Sequence, residues 1–322
     1  MNGGKNKKQK MNLKNKRIIV TGAAGVIGRQ VVKILEKKKA QPICFDISQR
    51  PHEFMKKTAY IQQDLSKLNN HDFLDFNPDI VIHLAAVFER LIETEEYWDL
   101  NFDNEIILNH GVFDAARRCR KLTQFIFASS YLIYDAHLYL SKKPKRSAVK
   151  IAETDAINPR NLCGISKLYG EREIEFLKNF SNFKLASARI YRVYGIGSRD
   201  VISRWIRSGI SGQAIEIFNK ENSFDYIWAE DVATGLTKIA ENDYEGIINI
   251  GTGKAKRIAE VARNIQKHLP TMKVKYVKNQ QYFENSCADT SRMKRYLKWV
   301  PSITIEEGIK KIFEYESVNS FS

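Results

Sequence analysis

Residues 21–28 read Thr-Gly-Ala-Ala-Gly-Val-Ile-Gly, and this octet decides the fold. Glycines stand at 22, 25 and 28, with only small or aliphatic residues between them. The octet leaves an apolar run, Arg17-Ile-Ile-Val-Thr21, of the length and β-branched content of a buried strand. It opens a helical pattern over 28–39, with Ile27, Val31, Ile34 and Leu35 on one face. Small side chains there let the backbone approach a diphosphate closely, and the helix amino end offers free N–H groups and a positive dipole. Glycine triplets are common, and the strand–turn–helix context makes this one informative.

Eighteen residues after Gly28, Asp46 ends a second strand, Pro42-Ile-Cys-Phe-Asp46. A carboxylate at that point accepts hydrogen bonds from adenosine ribose hydroxyls and repels a 2′-phosphate, so NAD is expected rather than NADP. Further apolar runs at 79–86, 124–130, 185–193 and 246–251 alternate with helical patterns at 98–118 and 165–180, and another helix is expected at 257–269. Strands alternating with helices predict an α/β fold of Rossmann type, a doubly wound parallel sheet covered on both faces. After residue 195 the alternation loosens, as expected of a smaller C-terminal α/β substrate-binding lobe. The expected division is a basic disordered tail at 1–16, the dinucleotide-binding domain at 17–185, and a lobe at 186–322. Segments near 188–195 and 225–251 are expected to return to the first domain.

Composition narrows the function classes. The chain has 322 residues, 43% of them hydrophobic, and no run approaches the ~20 apolar residues of a membrane span. With no apolar segment behind its polar, basic start, the expected location is the cytoplasm. The four cysteines, Cys44, Cys119, Cys163 and Cys287, lie far apart without CxxC or histidine spacing, so neither a disulfide framework nor a metal site is expected. Net charge is +15, part of it in MNGGKNKKQKMNLKNK, with six lysines and no acid. No aromatic residue interleaves these lysines, so a solvated tail is read rather than a nucleic-acid or membrane arm. The remaining positive balance suits an anionic substrate.

The motifs together resemble the extended short-chain dehydrogenase/reductase superfamily, and within it the NAD-dependent nucleotide-sugar epimerase/dehydratase group. The resemblance runs from about Arg17 to Phe313. It rests on TGAAGVIG, Asp46, QDL at 63–65, VIHLAA at 81–86, FIFASSYLIY at 125–134, CGISKLYGE at 163–171, ARIYRVYGIG at 188–197, DYIWAEDVA at 225–233 and INIGTG at 248–253. It implies bound NAD, a nucleotide-sugar substrate and a homodimer formed through the helices at 98–118 and 165–180. By position, Gly22, Gly25, Val26, Ile27, Gly28, Asp46, Asp64, Leu65, Leu84, Ala85 and Ala86 would bind the cofactor. Ser130 would hydrogen-bond the sugar oxygen, Lys167 would hold the nicotinamide ribose, and Asn101 would lie near the active-site backbone. Asp225 and Asp231 would join the lobes.

Four departures matter. Cys163 stands where the family has its proton-carrying tyrosine, four residues before Lys167. A thiol ionises more readily than a phenol, but its sulfur stops roughly 4 Å short of a phenolic oxygen. Three readings follow: Cys163 acts directly or through water; another group carries the proton, with Tyr131, Tyr134, Asp135, His137 and Tyr169 nearby; or the redox step is lost. Tyr131-Leu132 replaces the Asp-Glu pair of the 4,6-dehydratases, which argues against ordinary 4,6-dehydration. Arg192 stands where many epimerases have asparagine, and Phe224 where they have arginine. Arg192 and Arg199 become candidates for the anionic part of the substrate, with Arg204 behind them. The expected activity is epimerisation by transient oxidation, most often at C4, in glycan or surface polysaccharide synthesis. A dehydratase or reductase of the same superfamily, and a binding protein without turnover, are the alternatives.

Overall fold

The computed structural model describes residues 10–68, 71–86, 95–277 and 282–319. Seven strands form its main sheet: β1 (Arg17–Thr21), β2 (Gln41–Asp46), β3 (Ala59–Gln62), β4 (Ile80–His83), β5 (Gln124–Ser130), β6 (Lys184–Ile190) and β7 (Gly246–Ile250). Their order across the sheet is β7-β6-β5-β4-β1-β2-β3, with every neighbour parallel. The order reverses between β1 and β4, where Thr21 pairs with His83. In open parallel sheets the ligand crevice lies beyond the carboxyl ends of the strands at such a reversal. Ile18, Ile19, Val20, Ile80, Val81 and Ile82 are fully buried, as a sheet covered on both faces requires.

On one face α1 (Val26–Lys37) contributes Val31, Val32 and Leu35 to a core shared with Val232, Leu236 and Ile239 of the helix Ala229–Glu241. On the other face lie α2 (Leu108–Arg117) and α3 (Leu162–Leu177), with Val112, Phe113 and Ile174 against Phe125 and Phe127 of β5. Ahead of α2 the chain is helical from Glu95–Asn101 and continues through a π-helical stretch, Phe102–Ile107. Such wide turns recur at functional sites because they rotate a side chain off the regular face. A third core joins Ile202, Trp205 and Ile206 to Ile258, Val261, Ile265, Ile309 and Ile312, in the C-terminal part of the chain.

Two expectations change. Residues 10–16 were expected to belong to a disordered tail, but Leu13 is buried and the Met11 N–H donates to the Glu241 carbonyl at 2.7 Å. The two apolar residues hold this segment down; residues 1–9 lie outside the described residues. The strand expected over 185–193 splits. β6 ends at Ile190, and Arg192–Tyr194 pairs instead with Tyr226–Trp228. The Tyr191 N–H still reaches the Ile250 carbonyl at 3.0 Å, and the Arg192 N–H turns to the Asp225 carbonyl at 3.2 Å.

Candidate active site

The glycine loop is built for close approach. Gly22 has φ +66°, and a Cβ there would stand 2.7 Å from the Ala85 nitrogen. A Cβ on Gly28 would stand 2.1 Å from the Gly22 carbonyl oxygen. Gly25 caps α1 without any side-chain hydrogen bond, which leaves the amino end of the helix to a ligand. At the end of β2, Asp46 accepts hydrogen bonds from the Ala24 N–H at 2.8 Å and the Ser48 N–H at 2.9 Å. Its carboxylate therefore stands beside the loop, with lone pairs left for ribose hydroxyls. Asp64 caps the short turn Leu65–Lys67 through the Ser66 N–H at 3.0 Å, and Leu65 is buried. Thr21 accepts from the Leu84 and Ala85 N–H groups at 3.1 and 3.2 Å, fixing the path of the Leu84-Ala85-Ala86 segment. A glycine cradle beside an uncapped helix end and a strand-end carboxylate fits a dinucleotide.

Ser130 ends β5, and its hydroxyl oxygen accepts from the Leu132 N–H at 3.2 Å. The hydroxyl proton stays available to a substrate oxygen. α3 runs against this turn. Asn161 caps the helix through the Gly164 N–H at 2.9 Å, and a Cβ on Gly164 would stand 2.4 Å from the Leu132 carbonyl oxygen. Gly164 thus sets the spacing between Ser130 and the Cys163–Lys167 face. Gly164→Ala is expected to cost about 1–3 kcal/mol through overpacking. That exceeds the ~1 kcal/mol of helix propensity that alanine returns. A lower urea midpoint with unchanged slope would show it, and an unchanged midpoint would mean that the two elements are not so tightly apposed.

Cys163 is buried among Tyr131, Leu132, Tyr134, Tyr139, Ile151 and Tyr191. One turn on, the Lys167 Nζ lies 3.0 Å from Glu105 Oε2, and both side chains are buried. Glu105 comes from the π-helical stretch, between Asn101 and Asn109. Asn101 accepts from the Ser166 hydroxyl at 2.6 Å, and Asn109 Oδ1 lies 2.9 Å from His83 Nε2. The other ring nitrogen of His83 faces the Thr21 hydroxyl at 2.6 Å. Burial, then the Lys167 charge, depress the His83 pKa to about 3, so the ring is neutral in the floor of the site.

The other candidate proton carriers are hydrogen-bonded to other groups or exposed. The Tyr134 hydroxyl donates to Asn249 Oδ1 at 2.7 Å, and burial raises its pKa well above the usual phenol range. Tyr131 donates to Glu284 Oε1 at 3.2 Å. Asp135 and His137 form a 2.8 Å pair with the ring largely in solvent, and Tyr169 is exposed. Arg192 lies with its guanidinium carbon 3.6 Å from the Phe224 ring centre, so two of the sequence departures touch each other. Arg199 is exposed ahead of the helix Val201–Ile210, with no ion pair among the described residues. Asp225 accepts from the Thr252, Gly253 and Ala288 N–H groups, and Asp231 from those of Ser302 and Ile303. Sequence reasoning missed His83, Glu105, Arg160 and Glu284. The spacing Asn101–Glu105–Asn109, near one helical turn apart, was the available signal for Glu105.

Comparison with known proteins follows the same lines. The model of the NAD dependent epimerase/dehydratase family matches residues 18–251. The chain belongs to that family of enzymes. A putative UDP-glucose 4-epimerase of Methanocaldococcus jannaschii is 26% identical over 323 residues, 94% of this chain and 99% of the other. A dTDP-4-dehydro-6-deoxyglucose reductase of Escherichia coli is 24% identical over 326 residues, 94% of this chain and 98% of the other. Among solved structures, MoeE5 in complex with UDP-glucuronic acid and NAD superposes with a TM-score of 0.80 at 22% identity. It covers 94% of this chain and 99% of its own, which shows the shared Rossmann-type fold. Relatives of this epimerase/dehydratase chain thus include nucleotide-sugar epimerases and reductases. Among the described residues, no helix is long and apolar enough to cross a membrane.

Proposed function

We propose that this enzyme epimerises a nucleotide sugar by transient oxidation and re-reduction of one ring carbon, C4, in glycan or surface polysaccharide synthesis. One observation carries the reading: the glycine cradle, Ser130 and the Cys163–Lys167 face converge at the carboxyl edge of one parallel sheet. Bound NAD supplies reversible hydride acceptance, so none is consumed over a cycle. Gly22, Gly25, Val26, Ile27 and Gly28 hold its diphosphate, and Asp46 its adenosine ribose. Asp64, Leu65, Leu84, Ala85 and Ala86 line its path. Ser130 donates to the sugar oxygen. Lys167 holds the nicotinamide ribose, with its charge balanced by Glu105.

The hydroxyl proton leaves as the carbon is oxidised and returns as it is reduced. Cys163, through a bridging water, is the acceptor in this reading. The hydrogen bonds of Tyr131 and Tyr134 support it, because both hydroxyls already donate to other side chains. A second reading, binding without turnover, is favoured by the thiol itself. Incubation with NAD and UDP-, dTDP-, GDP- and CDP-sugars separates the two. A product of equal mass with one inverted centre supports epimerisation. Loss of water, or a gain or loss of two hydrogens, would reassign the enzyme to the dehydratases or reductases. Bound NAD with no product would leave the binding reading.

A homodimer is part of the proposal. Trp98, Phe102, Ile165, Phe176 and Phe180 are exposed on the two helical segments that flank the site face. Exposed apolar side chains of this size on both segments support an interface there. Sedimentation at micromolar concentration should give twice the chain mass, and a monomer would remove this element.

A further inference from the structure

Beside Ser130 and Cys163 lies a charged cluster to which the steps above assign no role. Glu284 is buried, and Arg160 Nη2 meets its Oε2 at 2.5 Å. Arg192 Nη2 lies 3.3 Å from both Glu284 oxygens, and the Tyr131 and Ser286 hydroxyls donate to Oε1 at 3.2 Å. Two guanidiniums therefore face one carboxylate. Arginine keeps its charge in proteins, so the cluster carries one positive charge in excess. A charge out of water is costly unless paired.

The polar atoms around the cluster are also incompletely used. Arg192 Nε and the Tyr139 and Tyr191 hydroxyls are buried without a hydrogen-bond partner among the described residues. Buried polar atoms are paired in the large majority of cases. All three belong to one assembly: Tyr191 stacks on Tyr131 at 4.9 Å, Tyr139 lies 6.4 Å from Tyr131, and Arg160 sits 5.5 Å over Tyr139. The Arg160 side chain is 34% exposed, which leaves the assembly a way in from solvent. Tyr131 directly follows Ser130, and Arg160 precedes Cys163 by three residues, so the assembly adjoins the groups assigned to the reacting carbon.

We propose that Arg160 and Arg192, held apart by Glu284, bind a carboxylate on the reacting sugar, so that the substrate is a nucleotide-linked acidic sugar. The guanidinium fork matches a carboxylate in two-point contact. Glu284 keeps both cations in place while neutralising only one of their two charges, and the ligand carboxylate completes the charge balance. The inference rests on the nucleotide-sugar reading.

Calorimetric titration of the NAD-loaded full chain with glucose and glucuronic acid, each linked to UDP, dTDP, GDP and CDP, tests it. For whichever nucleotide binds, the acid should bind at least about 10-fold more tightly, the scale of one charge-assisted contact. Arg160→Gln and Arg192→Gln should remove that preference while sparing the neutral sugar. Glu284→Gln, which removes the competing carboxylate, should increase it; a purely structural role would move all three variants the same way. Equal affinity of the unmodified protein for acid and neutral sugar overturns the inference, and needs no variant to fold. Equal weakening of both sugars by the arginine variants also overturns it, and assigns the cluster to the diphosphate. Binding of no nucleotide sugar at all would instead bring down the underlying reading.

Discussion

Glu105→Ala lowers the free energy of unfolding by about 3–5 kcal/mol, the typical cost of leaving one member of a buried ion pair alone. The Lys167 Nζ is 3.0 Å from this carboxylate, and the two side chains are 8% and 2% exposed. With so little water in reach, an unpaired ammonium has no substitute for its partner. His83, neutral and already engaged with Thr21 and Asn109, cannot serve as one. Urea unfolding of the protein without added NAD measures the loss. A change under about 1 kcal/mol, the usual scale of an exposed pair, would mean that Lys167 finds water or another acceptor.

Replacing the pair as a unit separates its two roles. Lys167→Met with Glu105→Met removes both charges and keeps comparable volume, and buried ion pairs exchanged for packed apolar groups are often neutral in stability. The double variant should therefore recover most of the stability that Glu105→Ala loses. Its turnover should still fall by about 10²- to 10⁴-fold, the range for proton transfer to a positioned group, because the Lys167 charge is expected to favour ionisation of the neighbouring proton carrier. The pair is thus expected to hold Lys167 for chemistry rather than to stabilise the fold in itself. Turnover near that of the unmodified enzyme would take Lys167 out of the reaction. A double variant as unstable as the single one would mean that packing, not charge, governs this position.

Much of the main sheet could be read from local pattern. Arg17–Thr21, the glycine octet and the apolar face of Val31, Ile34 and Leu35 lie within one short stretch. The continuous apolar run and the 3.6 period are visible without knowledge of anything distant. Asp46 was legible for the same reason, as the polar end of an apolar strand. β3 was not, because Ala-Tyr-Ile-Gln is an edge strand of four residues with partly exposed side chains and no apolar run. The tail was overextended because lysines dominate its composition, while Leu13 is buried in the core and the Met11 N–H is held by the carbonyl of Glu241, far along the chain.

The chemical groups divide along the same line. Ser130, Cys163 and Lys167 occur in recognisable local strings. Glu105 meets Lys167 across 62 residues, and Glu284 meets Arg160 across 124. The Arg192 and Phe224 departures lie far apart in sequence, and a 3.6 Å contact brings them together in space. Ion pairs of this kind are set by tertiary approach, which no local period encodes.

The central claim is that the sugar carbon is oxidised and then reduced by the same hydrogen, with Cys163 in place of the usual phenol. It is tested most directly with a nucleotide sugar carrying deuterium at C4, incubated with the NAD-loaded enzyme and followed by NMR and mass spectrometry. The account predicts a product of unchanged mass, inverted at C4 and still bearing the deuterium, with no net NADH. Exchange of that deuterium for solvent hydrogen during inversion would contradict it, as would tightly bound NAD with no product from any sugar.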